Sequence, residues 1–322
     1  RIIGEGMSDQ RDGGIAWTDE TWNPVTGCAK VSPGCAHCYA ETVALRFWAT
    51  QYPPVEYDTY SADNCCQVTE MRAREFTDVQ CHEDRLDQPL RWKRPRRVFV
   101  NSMSDLFHED VPDAFIDKIF AVMALAPQHT FQCLTKRAER MLSYMRAGDL
   151  PNRIAKATNA VWGNPYDVWP LPNVWLGVSC ENQHFADERI PLLLQTPAAV
   201  RFISAEPLLG PISFRWAKWQ PLSREPGGNP HGTNHLDGLR RLNLVIVGGE
   251  SGPKARPCDL VWIRSIRDQC QAAGVPVFVK QMGSQPTNSA QPDGDLVQAF
   301  ITGKGADISE WPEDLRVREM PT

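Results

Sequence analysis

Short apolar runs punctuate the chain at spacings that leave room for a helix between them: Val98–Asn101, Thr130–Leu134, Val174–Val178, Val200–Ile203, Leu244–Val247 and Val275–Val279. Each is nearly free of charge, as strands buried on both faces of a parallel sheet are. Ile15–Thr18 predicts a further strand ahead of them. Between the runs, Ala114–Leu125 sets Phe115, Ile119, Val122 and Met123 on one helical stripe, and Asp187–Leu194 and Leu260–Ala273 read similarly. Strands alternating with helices predict an α/β fold, a full or partial (β/α) barrel of parallel strands over residues 15–283. Long polar segments interrupt it at 51–97, 148–173 and 215–241, lengths at which insertions are either functional or irregular. Residues 284–322 form a polar C-terminal extension expected to wrap the surface. Residues 1–14 form an N-terminal segment in which Arg1–Gly6 reads as an appended remnant ahead of a native start at Met7.

Polar residues gather where the apolar runs end. Asn101–Asp105, Thr135–Arg137, Ser179–Asn182, Ser204–Pro207, Gly248–Gly252 and Lys280–Gln281 each follow one run. Function sits at that face in barrels and in open α/β sheets alike. Turn chemistry alone accounts for any single cluster; the recurrence in register favours one shared site. No internal repeat is present.

The formal net charge of -5 excludes broad phosphate binding, so contact with a nucleic acid has to rest on a local patch. Arg91-Trp92-Lys93-Arg94-Pro95-Arg96-Arg97 offers one, with cations for phosphates and an indole to stack on a base. The alternative is a solvated connection into the strand at Val98. Arg46, Lys254 and Arg256 are candidates to extend the patch. The ten cysteines, without a secretion signal, argue for thiols or metal ligands in a reducing cytoplasm rather than a disulfide scaffold. No apolar run approaches the ~20 residues that a membrane helix needs.

The strongest chemical signal is Cys28, Cys35 and Cys38 at C-x6-C-x2-C spacing, with Gly27, Pro33 and Gly34 keeping the backbone in a loop. Three thiolates on one loop can ligate three irons of a [4Fe–4S] cluster and leave the fourth iron open. Zinc is the competing reading; a structural site wants a fourth ligand, for which His37, Cys65, Cys66 and Cys81 are available.

From Trp17 onward the chain resembles a bacteriophage-associated family of radical S-adenosylmethionine (SAM)-like proteins. The matching blocks are Thr21-Trp22-Asn23-Pro24-Val25-Thr26-Gly27-Cys28, His37-Cys38-Tyr39-Ala40, Asn101–Phe107, Ser204–Leu208, Gly248–Gly252 and Trp311–Arg316. The chain departs from the common C-x3-C-x2-C motif by a longer first spacer, and carries His37 where an aromatic residue normally packs near the adenine.

The resemblance implies a [4Fe–4S] cluster on the three cysteines, SAM on the open iron, and a 5′-deoxyadenosyl radical, with an external one-electron donor. It implies Ser102, Ser104 and Asp105 for the methionine end of SAM, Ser179 and Glu206 for the ribose, Lys136 for a carboxylate, and His37 and Tyr39 beside the cofactor. Glu250, Lys254 and Lys280 join the basic run as substrate candidates. The implied substrate is an amino-acid-modified thymine in phage DNA, rearranged by an isomerase-type reaction in the host cytoplasm. A free nucleotide, a peptide or a base photoproduct as substrate, and a non-enzymatic zinc-bearing nucleic-acid binder, stay open.

Overall fold

A computed structural model describes residues 15–52, 54–60, 67–158, 168–214, 239, 241–290 and 303–321. Its centre is a seven-stranded sheet. The strands are β1 (Glu20–Trp22), β2 (Arg97–Val100), β3 (Thr130–Thr135), β4 (Val174–Ser179), β5 (Val200–Ala205), β6 (Leu244–Gly248) and β7 (Val277–Gln281). Every neighbouring pair is parallel and sheet order follows chain order. The result is a half-barrel open between β1 and β7, a partial rather than a closed β/α barrel.

Helices α1 (Tyr39–Gln51), α2 (Asp113–Leu125), α3 (Ala138–Met145), α4 (Leu150–Ala157), α5 (Gln183–Gln195) and α6 (Leu260–Ala273) accompany the strands. Caps set some of their ends. Asn182 accepts from the Phe185 N–H to start α5, Asp259 accepts from the Val261 N–H to start α6, and Gly274 closes α6 at φ 67°.

Period-2 alternation sorts the strand side chains onto two buried faces. Val98, Val100, Phe131, Cys133, Leu176, Val178, Ile203, Val245, Val247, Val277 and Val279 join helix residues such as Ile119, Phe120, Ile190 and Ile263 in the main core. Fully burying one such side chain is worth roughly 1.5–3 kcal/mol. The opposite, concave face carries Phe99, Phe202, Leu244, Ile246 and Phe278, with Leu134 and Trp175 against them and Trp17 over them. Gly177 leaves room there for the Phe202 ring, which would lie 2.7 Å from an added Cβ.

Several expectations shift. The first strand is Glu20–Trp22; Ile15–Thr18 forms a turn, closed by Thr18 N–H to the Ile15 carbonyl at 3.2 Å, because its one large apolar ring, Trp17, is used to cap the concave face. The 51–97 insertion holds an antiparallel hairpin, Val55–Tyr60 with Gln67–Arg72, and a short strand, Gln80–Cys81, paired with Val25–Thr26. The 148–173 insertion opens with α4, packed on α2. Most of 215–241 and all of 1–14 lie outside the described residues. The C-terminal extension does more than wrap the surface. Trp311 and Leu315 enter the main core, and Val317 and Glu319 bond to Val279 and Val277, covering the edge of β7. Among the described residues no helix is long and apolar enough to cross a membrane.

Candidate functional site: a cysteine loop across the strand ends

The loop begins where the short strand Val25–Thr26 ends. Gly27 bridges to Ser104, and its N–H donates to the Met103 carbonyl at 3.0 Å. It adopts φ +97°, and an added Cβ would lie 2.5 Å from the Asp78 carbonyl oxygen, so only glycine fits. Cys28 follows, then a 3-10 turn over Pro33–Cys35, then Cys38 as the residue that opens α1. All three thiols are free and half-buried.

Side chains from the ends of different strands pin this loop. After β3, the Arg137 guanidinium reaches Cys28 Sγ at 3.6 Å and the Ala29 carbonyl at 3.4 Å. After β2, His108 Nε2 lies 3.3 Å from the Ala29 N–H. After β4, Glu181 Oε1 accepts from the Gly34 N–H at 3.2 Å. After β6, Glu250 lies 3.2 Å from His37 Nδ1, and Arg256, paired with Glu250 at 2.6 Å, donates to the Pro33 carbonyl at 2.9 Å.

The pins are themselves buttressed. Glu181 is fully buried and pairs with buried Arg189 at 3.1 Å. Burial works to raise the Glu250 pKa, but the bonds from Arg256 and His37 prevail and hold the carboxyl below its usual range. Burial pushes the Cys28 thiol up to about 12, with the Asp105 charge adding to it and Arg137 opposing. Burial, then Arg137, pushes His108 below its usual value, which keeps it neutral near pH 7.

Residues expected at the methionine end of SAM make hydrogen bonds within the protein. Buried Asp105 accepts from the Phe107 and Lys136 N–H groups at 3.0 Å each, from the Thr135 hydroxyl at 2.7 Å and from Arg137 at 3.3 Å. Its lone pairs are spent joining the ends of β2 and β3. The Ser104 hydroxyl donates to the Val25 carbonyl at 2.9 Å and that of Ser102 to Asn23 at 3.1 Å. The Tyr39 hydroxyl donates to the Ser102 carbonyl at 2.5 Å, while its ring is exposed at the mouth.

Other candidates face the mouth. Glu206 and Lys280, both partly exposed, pair with each other at 2.5 Å. Both continue the concave-face alternation of Phe202 and Phe278. Ser179 is buried on the same face at the top of β4. Lys136 is half-buried, and an added Cβ on Gly34 would lie 3.4 Å from its Cε; among the described residues its ammonium has no partner in the chain. Lys254 is exposed.

The basic run does not extend this site. It leads into β2, so it sits at the opposite end of the strands from the loop, roughly 13 Å away over four residues of strand. Its charges are largely paired: Arg91 with Asp87 at 2.5 Å, Arg96 with Glu20 at 2.5 Å and Arg97 with Asp19 at 3.0 Å. Trp92 turns inward against the main core and meets the His129 ring edge at 5.7 Å. Lys93 and Arg94 remain exposed. Three of the run's five cations are thus paired and its indole is turned inward, an arrangement in keeping with the solvated-connection alternative. Among the suggested extensions, Arg46 lies over the Phe47 ring on α1 and Arg256 serves Glu250.

As arranged, no three His, Cys, Asp or Glu side chains among the described residues form a group that could hold a metal ion. The donor chemistry nevertheless fits an iron–sulfur cluster: three soft thiols outside any disulfide on one short loop, with a guanidinium beside Cys28. Metal binding takes thiolates and releases their protons, so ligand closure belongs to metal binding. Of the further donors named for zinc, Cys81 is half-buried beside the main core and His37 meets Glu250; Cys65 and Cys66 lie outside the described residues. Sequence reasoning passed over Glu181, Arg189 and His108 as site-building groups. Glu181, a charge directly after an apolar strand, was the readable signal.

Fold and loop together define an α/β half-barrel protein with a thiol-bearing mouth. Residues 12–310 match the family described as a protein of unknown function, DUF5131, and the chain belongs to that family. No curated protein and no solved structure matches the chain.

Proposed function

We propose that Cys28, Cys35 and Cys38 hold a [4Fe–4S] cluster and that the chain is a radical SAM enzyme. One observation carries the reading: the thiol loop is fastened across the C-terminal strand ends by side chains from several strands, where barrel proteins do their chemistry. The sequence resemblance supports it independently. With SAM on its open iron, a cluster of this kind supplies a 5′-deoxyadenosyl radical.

The chain's own residues bind, orient and exclude water. Arg137 lowers the cost of a thiolate at Cys28. Asp105, Ser102 and Ser104 act as positioning residues, holding the strand end on which Cys28 sits. Lys136 brings an uncommitted positive charge for the carboxylate of SAM or for a substrate anion. His37 and Tyr39 flank Cys38 and offer faces to an adenine. Ser179 and the Glu206–Lys280 pair offer hydroxyl, acceptor and donor groups for ribose or substrate. The apolar concave floor keeps water from a radical. The substrate we propose is an amino-acid-modified thymine of phage DNA, rearranged in an isomerase-type step; in a duplex the base has to flip out to reach the mouth.

The test is anaerobic reconstitution. About four irons and matching sulfide per chain are expected, lost in Cys28→Ala, Cys35→Ala or Cys38→Ala, with 5′-deoxyadenosine released from SAM on reduction. Stoichiometric zinc without iron in protein purified free of oxygen refutes the proposal.

A further inference from the structure

Gln132 stands on β3 between two residues of the main core, Phe131 and Cys133, so alternation puts its side chain on the concave face. Its register partners there are Phe99 on β2 and Trp175 on β4. The residue is fully buried, yet among the described residues neither its amide nitrogen nor its amide oxygen has a hydrogen-bond partner. Exchanging the two atoms changes nothing, since both are orphaned. A second orphan belongs to the same face. Trp17, whose ring lies 4.8 Å from Phe99 and 6.0 Å from Phe202, has a buried indole N–H without a partner among the described residues.

Two orphaned polar groups in one aromatic layer are costly to folding, because each buried unpaired donor or acceptor forfeits its hydration. Its neighbours in that layer, Phe99, Trp175, Phe202 and Trp17, are aromatic, and leucine or methionine would serve the fold better at position 132. The amide presents a donor and an acceptor side by side, the complement of a planar ring edge that carries an acceptor beside a donor. Phe99, Trp175, Phe202 and Trp17 supply faces on which such a ring stacks. Trp17 packs over this layer, so a ligand that reaches Gln132 has to displace its ring.

We propose that the concave face beneath the cysteine loop is a nucleobase site in which Gln132 reads the base edge. The inference rests on the radical SAM reading only for which base is meant. That base is either the substrate's pyrimidine or the adenine of SAM, which share the donor–acceptor edge.

The experiment uses the full chain after anaerobic reconstitution, with thymidine, N3-methylthymidine and adenosine as probes in calorimetric titrations, and Gln132→Met as the variant. The wild type is expected to bind thymidine or adenosine, and Gln132→Met to lose roughly 10–100-fold in affinity for whichever binds. N3-methylthymidine, with its donor blocked, is expected to bind at least about tenfold more weakly than thymidine if the site serves the substrate. Adenosine binding alone assigns it to the cofactor. Without ligand, Gln132→Met is expected to melt about 2–5 °C higher, since an orphaned amide is gone. Equal nucleoside affinity in wild type and variant, binding of neither nucleoside, or a lower melting temperature for Gln132→Met overturns the proposal. Iron and sulfide measured on the same samples report separately on the cluster, so the two readings fail independently.

Discussion

Glu181 is the residue whose loss most cleanly separates folding from site building. Its carboxylate is fully buried, with one oxygen on buried Arg189 and the other on the Gly34 N–H of the cysteine loop. Glu181→Met removes the charge at similar volume and leaves Arg189 with the Ser179 carbonyl at 2.9 Å and the Phe185 ring at 4.1 Å. Breaking a buried pair from one side costs about 3–5 kcal/mol. The partners that remain place the expected loss near ~3 kcal/mol, read as a melting temperature lower by roughly 4–5 °C for a chain of this length. Removing Arg189 as well, in Glu181→Met with Arg189→Met, takes away the uncompensated cation and should return most of that stability. The Gly34 anchor stays broken in both variants. Thiol labelling followed by peptide mass spectrometry should then find Cys35 reacting about 3–10-fold faster in the single and the double variant alike, the equivalent of one lost hydrogen bond of ~1 kcal/mol. Glu181→Met within ~1 kcal/mol of the wild type would refute the buried-pair reasoning. Unchanged Cys35 labelling would refute the anchor.

His82 supplies a pH test. It lies 2.7 Å from the Thr26 hydroxyl, and burial, then Arg85 and Arg74, push its pKa down to about 4 from 6.5. The unfolded chain therefore binds a proton below about pH 6.5 that the folded chain refuses until about pH 4, so stability falls with pH across that window, by on the order of 2 kcal/mol. Denaturant titrations of His82→Gln should show a flatter pH dependence there, and a slope equal to that of the wild type would count against it. Trp92→Ala should cost about 2 kcal/mol of stability, for a half-buried ring, and leave any DNA affinity and its salt slope unchanged. A salt slope reduced in Trp92→Ala or Arg91→Ala would restore the basic run as a phosphate-binding patch.

Local pattern carried the fold a long way. β2 to β7 were legible as apolar runs because a parallel strand buried on both faces has to be apolar along its length, and that needs no knowledge of partners. The three cysteines were legible because their spacing on one loop is a chain property. Other features depended on what lies far away in sequence. Trp17 left its expected strand because the concave face needed a lid, and Trp311 entered the core because β7 has an open edge. Arg91–Arg97 looks like a cationic patch in the chain, but its neutralising carboxylates, Asp19 and Glu20, come from β1 and the turn before it. Asp105 reads as a free carboxylate in the chain, while in the fold Thr135, Lys136 and Arg137 meet it from the next strand. The orphaned amide of Gln132 is invisible in sequence, since a glutamine in an apolar strand reads the same whether or not it finds a partner. Chain composition determined which elements form and which groups are chemically able to bind metal. Only tertiary structure decided which charges cancel, which polar groups are left over, and which strand ends pin the loop, because all three are sums over neighbours that the backbone brings together.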